Sequence, residues 1–160
     1  MLGLVLLVAR ASDGGLSSES AVVLIAVMSL SSFGGMLVGG GLGDRFGARR
    51  VLAGSLLLQA IALLWLSISD NPWQMYVFAA AFGLGYGGWS PQFPSIAAKT
   101  FGTKHMGSIF ATLLLGAGTG ATIGPVMAGV IFDSSGSYSV AFMIGSGLAL
   151  AGVILAWLLR

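Results

Sequence analysis

Cysteine is absent from all 160 residues, so disulfide staples, a thiolate nucleophile and cysteine metal sites are excluded, and redox compartment is unreadable. Histidine occurs once, as His105, with no carboxylate or thiol partners in the pattern a metal centre needs, so no metal site is expected. Charge is scarce: Asp, Glu, Lys and Arg make up 8% of the chain, against about 25% in a soluble domain. That is too little to coat a water-facing surface. The net charge of +2 is not gathered into one basic stripe, which argues against nucleic acid as a partner. The glycine run GGGLG is followed by Asp-Arg, not by the Gly-Lys-Ser/Thr of a phosphate-binding loop. MLGLVLLVAR at the start lacks the basic n-region of a secretory signal.

What fills the chain instead is apolar: 56% hydrophobic residues and a mean hydropathy of +0.97. The apolar runs are Ala21–Leu42, Val51–Ser69, Trp73–Ala98, Ser108–Phe132 and Ser139–Leu159, none containing Asp, Glu, Lys, Arg or His. A helix needs about 20 apolar residues to cross a bilayer. An unclosed β-structure would leave backbone groups unsatisfied in lipid. The expected fold is therefore all-α, a single polytopic membrane bundle over residues 1–160 with five full spans. Residues 1–9 read as the rest of a further helix, since nine helical residues rise only about 13 Å. Without an ionisable pair inside any span there is no acid and base for intramembrane catalysis, so the chain reads as no enzyme and no cofactor is implied. Asn71-Pro72 predicts a cap followed by proline at the first helical position, and Asp133-Ser-Ser-Gly-Ser predicts a turn.

The charges sit between the spans and alternate in sign. Arg10, Asp13 and Glu19 give −1; Asp44, Arg45, Arg49 and Arg50 give +2; Asp70 gives −1; Lys99 and Lys104 give +2; Asp133 gives −1; Arg160 ends the chain at +1. The positive-inside rule places 43–50, 99–106 and the C-terminus in the cytoplasm, with the bundle in the plasma (inner) membrane.

Small residues recur at intervals of four: Ser31, Gly35, Gly39 and Gly43; Ala79, Gly83, Gly87, Pro91 and Ser95; Thr112, Gly116, Gly120, Gly124 and Ala128. In lipid, such faces let helix backbones approach and pack. Trp73–Ala98 contains GLGYGGWSPQFPS, where Pro91 and Pro94 interrupt the hydrogen-bond ladder; Pro125 predicts a further kink. Broken membrane helices occur where neighbours or a watery cavity satisfy the freed groups. Tyr86, Trp89 and Gln92 either line a substrate path there or simply pack, and both readings stand.

The stretch GGGLGDRFGARRVL places Asp44, Arg45, Arg49 and Arg50, four of the 7 basic and 5 acidic side chains, within seven residues. The glycines allow close helix approach. Arg49 and Arg50 set topology and attract anionic headgroups, each worth about 1 kcal/mol. Asp44 adds nothing to a positive-inside signal, so it needs another explanation, such as capping the next helix or pairing with an arginine. Gly40, Leu42, Asp44, Arg45, Gly47, Arg49 and Arg50 match the signature G-x-L-x-D-R-x-G-R-R/K-R/K, and the stretch resembles that cytoplasmic loop of the major facilitator superfamily; Ala48 departs from it.

Further phrases point the same way. Phe101, Gly102, Lys104 and Gly107 are followed by Gly124, Pro125, Ala128 and Gly129, then Phe132, Asp133, Gly136, Ser137, Tyr138, Ala141 and Phe142. They resemble the C-terminal half of the superfamily, nearest its monocarboxylate and oxalate/formate branch. The resemblance implies the rest of helix seven plus helices eight to twelve of a secondary transporter working by alternating access. Its substrate would be a small organic solute, a monocarboxylate being one candidate, with a coupling ion. The signature would then latch one conformation, and the stripes at Gly35/Gly39 and Gly116/Gly120/Gly124 would await a missing N-terminal half or a second copy. A non-transporting membrane subunit that packs on partners through its glycine ladders is the alternative. The branch often carries a basic residue within helices eight or eleven, and Ala21–Leu42 and Ser108–Phe132 have none.

Overall fold

The computed structural model describes residues 18–67, 71–136 and 138–158. The expected helix over 1–9, the charges Arg10, Asp13, Asp70 and Arg160, and the end of the last span at Leu159 lie outside them. The described residues form only helices and their connections: α1 (Ser18–Phe46), α2 (Ala48–Ser67), α3 (Pro72–Trp89), α4 (Gln92–Phe101), α5 (Met106–Ser135) and α6 (Ser139–Leu158). Of these, α1, α2, α5 and α6 are each long and apolar enough to cross a membrane. Large apolar side chains along them face outward, Leu30 at 74% and Leu148 at 68% exposure, as suits a lipid surrounding. Trp73 opens α3, while Trp157 closes α6, both exposed at helix ends. Tryptophan prefers that interfacial level.

Element boundaries follow local chemistry. Pro72 begins α3 behind Asn71, whose N–H donates to Gln74 Oε1 at 3.1 Å. α5 ends where Gly136 takes φ +67° and its N–H donates to Phe132 O at 2.7 Å, a left-handed C-terminal stop for which glycine carries no Cβ penalty. The reversal thus falls within the expected turn Asp133-Ser-Ser-Gly-Ser, at its glycine, while the helix itself runs on through Ser135.

Three expectations are corrected. The signature is not a loop over 43–50: α1 continues to Phe46 and α2 resumes at Ala48, with Gly47 (φ +93°) alone between them. One residue in a positive-φ conformation turns the chain sharply enough to need no longer connection. The third run, Trp73–Ala98, is interrupted at Pro91 only. Ser90 (φ −53°, ψ −48°) and Pro91 (φ −73°, ψ −12°) stay right-handed, so α4 carries on from α3 without a reversal. Pro94 sits in the first turn of α4, where its missing N–H breaks no intrahelical bond. Pro125 lies inside α5 without ending it.

The third correction concerns the glycine stripes. α3 is wedged between α1 and α2. A Cβ on Gly35 would meet the backbone of Leu84, one on Gly39 the Gly88 carbonyl oxygen at 2.5 Å, and one on Gly87 the Ser32 carbonyl. On its other face, a Cβ on Gly85 would come within 3.0 Å of Ser55 O, and one on Gly88 within 2.6 Å of Ser55 Oγ. Gly35 and Gly39 therefore meet α3 of this same chain instead of waiting for another bundle. The stripe on α5 differs: Gly116 and Gly120 have nothing within 4 Å of an added Cβ, and only Ala128 further along is buried. The main core gathers Leu24, Met28, Leu66, Phe78 and Phe142 at the end away from the signature. A smaller cluster of Leu52, Ala53 and Ala156 lies beneath the signature, with Trp89 and Ile96 against it.

Candidate functional site

The signature residues divide between two helix ends. Gly40, Leu42, Asp44 and Arg45 occupy the last turns of α1, and Arg49 and Arg50 the first turn of α2. Arg45 suits its position, since a cation at a helix C-terminus complements the macrodipole, and its Cζ stands 5.5 Å from the Phe46 ring centroid. Asp44 is exposed at that same C-terminus, where a carboxylate opposes the dipole. Among the described residues it makes neither an ion pair nor a side-chain hydrogen bond, so neither the expected cap nor the expected arginine pair is formed. Arg49 and Arg50 likewise add positive charge to an N-terminus that has no acidic residue in its first turn. Both helix ends thus carry charge that their own dipoles disfavour.

Behind the signature, the broken helix ties three elements together. Gln92, with 2% exposure, donates from Nε2 to Gly39 O at 2.8 Å and to Gly88 O at 3.2 Å. The first bond joins α4 to α1. The second serves a carbonyl in the last turn of α3, where intrahelical partners run out. Gly43 lies directly against the Gln92 amide, leaving no room for a side chain. Tyr86 and Trp89 stack edge to face at 5.1 Å, as do Trp89 and Phe93 at 5.0 Å. Gln59 of α2 completes the group: with its amide oriented to suit its neighbours, its oxygen accepts from Trp89 Nε1 at 2.7 Å and Tyr86 N at 2.9 Å.

Tyr86, Trp89 and Gln92 are therefore brought together, and the side-chain N–H groups of Gln92 and Trp89 find acceptors among the described residues. Gln59 was not singled out from the sequence. The signal was present, because it is the lone amide in an apolar run of α2, and polar groups in a span seek partners on other helices.

Among the described residues, no group of His, Asp and Glu is placed to hold a metal ion. The space at this end is cationic instead. A cavity of about 420 Å³ lies between the signature turn and α4, lined by Phe46, Arg49, Arg50, Ile96, Lys99 and Thr100.

Comparison with known proteins places these features in a wider group. A family model described as Major Facilitator Superfamily matches residues 1–160. Multidrug resistance protein MdtG of Enterobacter lignolyticus (strain SCF1) is 35% identical over 121 residues, 76% of this chain and 29% of that protein. Proteins of the same name from Rahnella sp. (strain Y9602) and Escherichia coli O1:K1 / APEC are each 31% identical over 121 residues, with the same coverage. The matched stretch thus spans less than a third of the length of these curated relatives.

Proposed function

The chain belongs to the Major Facilitator Superfamily, and on that premise we propose that it works as the C-terminal half of a secondary active transporter of small organic solutes. Its orientation follows the charge pattern, with the signature end and Lys99 on the cytoplasmic side of an inner membrane. The α5 face carrying Gly116 and Gly120 receives the complementary N-terminal bundle, since in lipid a small-residue face gains its stability from a close-packed helix. A coupling ion would use groups from that other bundle.

Substrate class rests on the relatives, which are named for multidrug resistance, and the described spans of this half supply no cation of their own for an anionic substrate. A monocarboxylate, the substrate suggested by the phrases around Phe101 and Phe132, would need a buried cation to offset its desolvation. A lipophilic solute needs none. The relatives named for multidrug resistance agree with the second class, and we place the substrate there. The test is transport in efflux-deficient bacteria expressing the chain with the N-terminal half of a relative. Energy-dependent expulsion of a lipophilic dye without lactate uptake is the expected result; lactate uptake would reverse the assignment, and no flux of either would favour a non-transporting subunit.

In this reading Asp44 is a latch residue whose partner comes from outside the described residues. Asp44→Asn should slow dye expulsion roughly tenfold, which is about 1.4 kcal/mol on a transition state, while membrane insertion is unchanged. Flux at the unmodified rate would remove the latch role.

A further inference from the structure

Three recesses meet at Arg50. The first is the cationic cavity between the signature turn and α4, where Arg50 and Lys99 converge from two different elements. The second, about 420 Å³, shares Phe46 and Arg50 with it and then descends along Leu42, Val51, Gly54 and Leu58. From Val51 to Leu58 this groove follows α2 for two turns, about 10 Å into the membrane. The third, about 200 Å³, passes between the arginines and Trp157 at the end of α6. A cavity that carries Arg50 and Lys99 on an otherwise largely apolar lining thus shares Phe46 and Arg50 with an apolar groove running down a span, with an exposed tryptophan at the interfacial level.

We propose that this is a binding site for one anionic phospholipid: the phosphate between Arg50 and Lys99, and one acyl chain in the groove over Gly54. Two features select a lipid over a soluble anion. The cavity holding Arg50 and Lys99 shares Phe46 and Arg50 with an apolar groove, which an inorganic anion would leave empty. Gly54 has nothing within 4 Å of an added Cβ, so the groove floor is unfilled where the chain would lie. Two features select an anionic lipid over a zwitterionic one. Arg50 and Lys99 carry two positive charges, and among the described residues the cavity lining holds no carboxylate. The α2 N-terminus adds to the same positive potential, because its first turn holds no acidic residue. The site bridges the signature turn and α4, so an occupied site would hold α4 against α2.

The test is lipid retention by the full chain, purified from nanodiscs containing equal palmitoyl-oleoyl phosphatidylglycerol and phosphatidylcholine and read by native mass spectrometry. One phosphatidylglycerol should be retained in preference to phosphatidylcholine. Arg50→Gln with Lys99→Gln should reduce that retention about tenfold. Gly54→Leu, whose Cβ has nothing within 4 Å, should also reduce it while circular dichroism and thermal unfolding stay unchanged. Equal retention of the two lipids would overturn the proposal. So would Gly54→Leu leaving retention intact, or added inorganic phosphate displacing the lipid, since either would describe an anion site without an acyl groove.

Discussion

Gly87→Leu should destabilise the bundle by about 3 kcal/mol, the upper end of the range for overpacking a close-packed site. The measurement is unfolding by sodium dodecyl sulfate in mixed micelles, followed by tryptophan fluorescence. The reason lies in what the new side chain would meet. A Cβ at Gly87 points into the Ser32 carbonyl of α1, with Ser32 C at 2.7 Å and Met36 N at 2.8 Å. These are backbone atoms and cannot rotate aside, so α1 and α3 would have to separate along their length. In lipid, close backbone approach is itself a main source of helix association, and separation removes it. Gly116→Ala is the matched control. Its Cβ enters empty space on α5, and its effect should stay within about 0.5 kcal/mol. Equal stability of the two variants would mean that the α1–α3 contact is not the close one described.

Gln92→Leu should cost about 1–3 kcal/mol, the penalty for leaving buried hydrogen-bonding groups without partners. Gly39 O and Gly88 O lose their side-chain donor, and α4 loses its only described side-chain hydrogen bond to α1. The local effect should exceed the global one: backbone amides of Gln92–Phe101 should exchange with deuterium several-fold faster while those of α5 are unaffected. Gln92→Glu should be worse than leucine, because a carboxylate accepts hydrogen bonds only and would face two carbonyl oxygens. Unchanged exchange in α4 would show that Pro91 and apolar packing hold the broken helix without the clamp.

The residues explain how much of this was legible beforehand. Four of the five expected spans coincide with helices long and apolar enough to cross a membrane, because excluding charge from lipid leaves a clear pattern, and the Asn71-Pro72 start fell where its chemistry requires. The signature's residues were legible too, but not its shape. A positive φ at Gly47 replaces an eight-residue loop by one residue, and a glycine's dihedral is not written in its neighbours. Pro91 and Pro94 looked equivalent; only their register against the end of α3 makes one a break and the other a first-turn residue. The role of Gln59 lies outside the sequence pattern, because a single amide in an apolar run gains meaning only when its partners, Trp89 and Tyr86, are brought beside it.

By itself the sequence determined the apolar character of the long segments, their helical class and the ends of the molecule that carry charge. Each of these depends on local composition: how much polarity a stretch contains and at what spacing. Which glycine stripe is already filled was decided only by the tertiary structure. Gly35/Gly39 and Gly116/Gly120 have the same spacing and the same residue type, yet the first pair meets α3 and the second meets nothing among the described residues. A stripe of small residues encodes the capacity for close approach but not the identity of the partner. That identity comes from how the helices are arranged. The same holds for Arg50 and Lys99, far apart in the chain and joined in one cavity only because α4 resumes beside the signature turn.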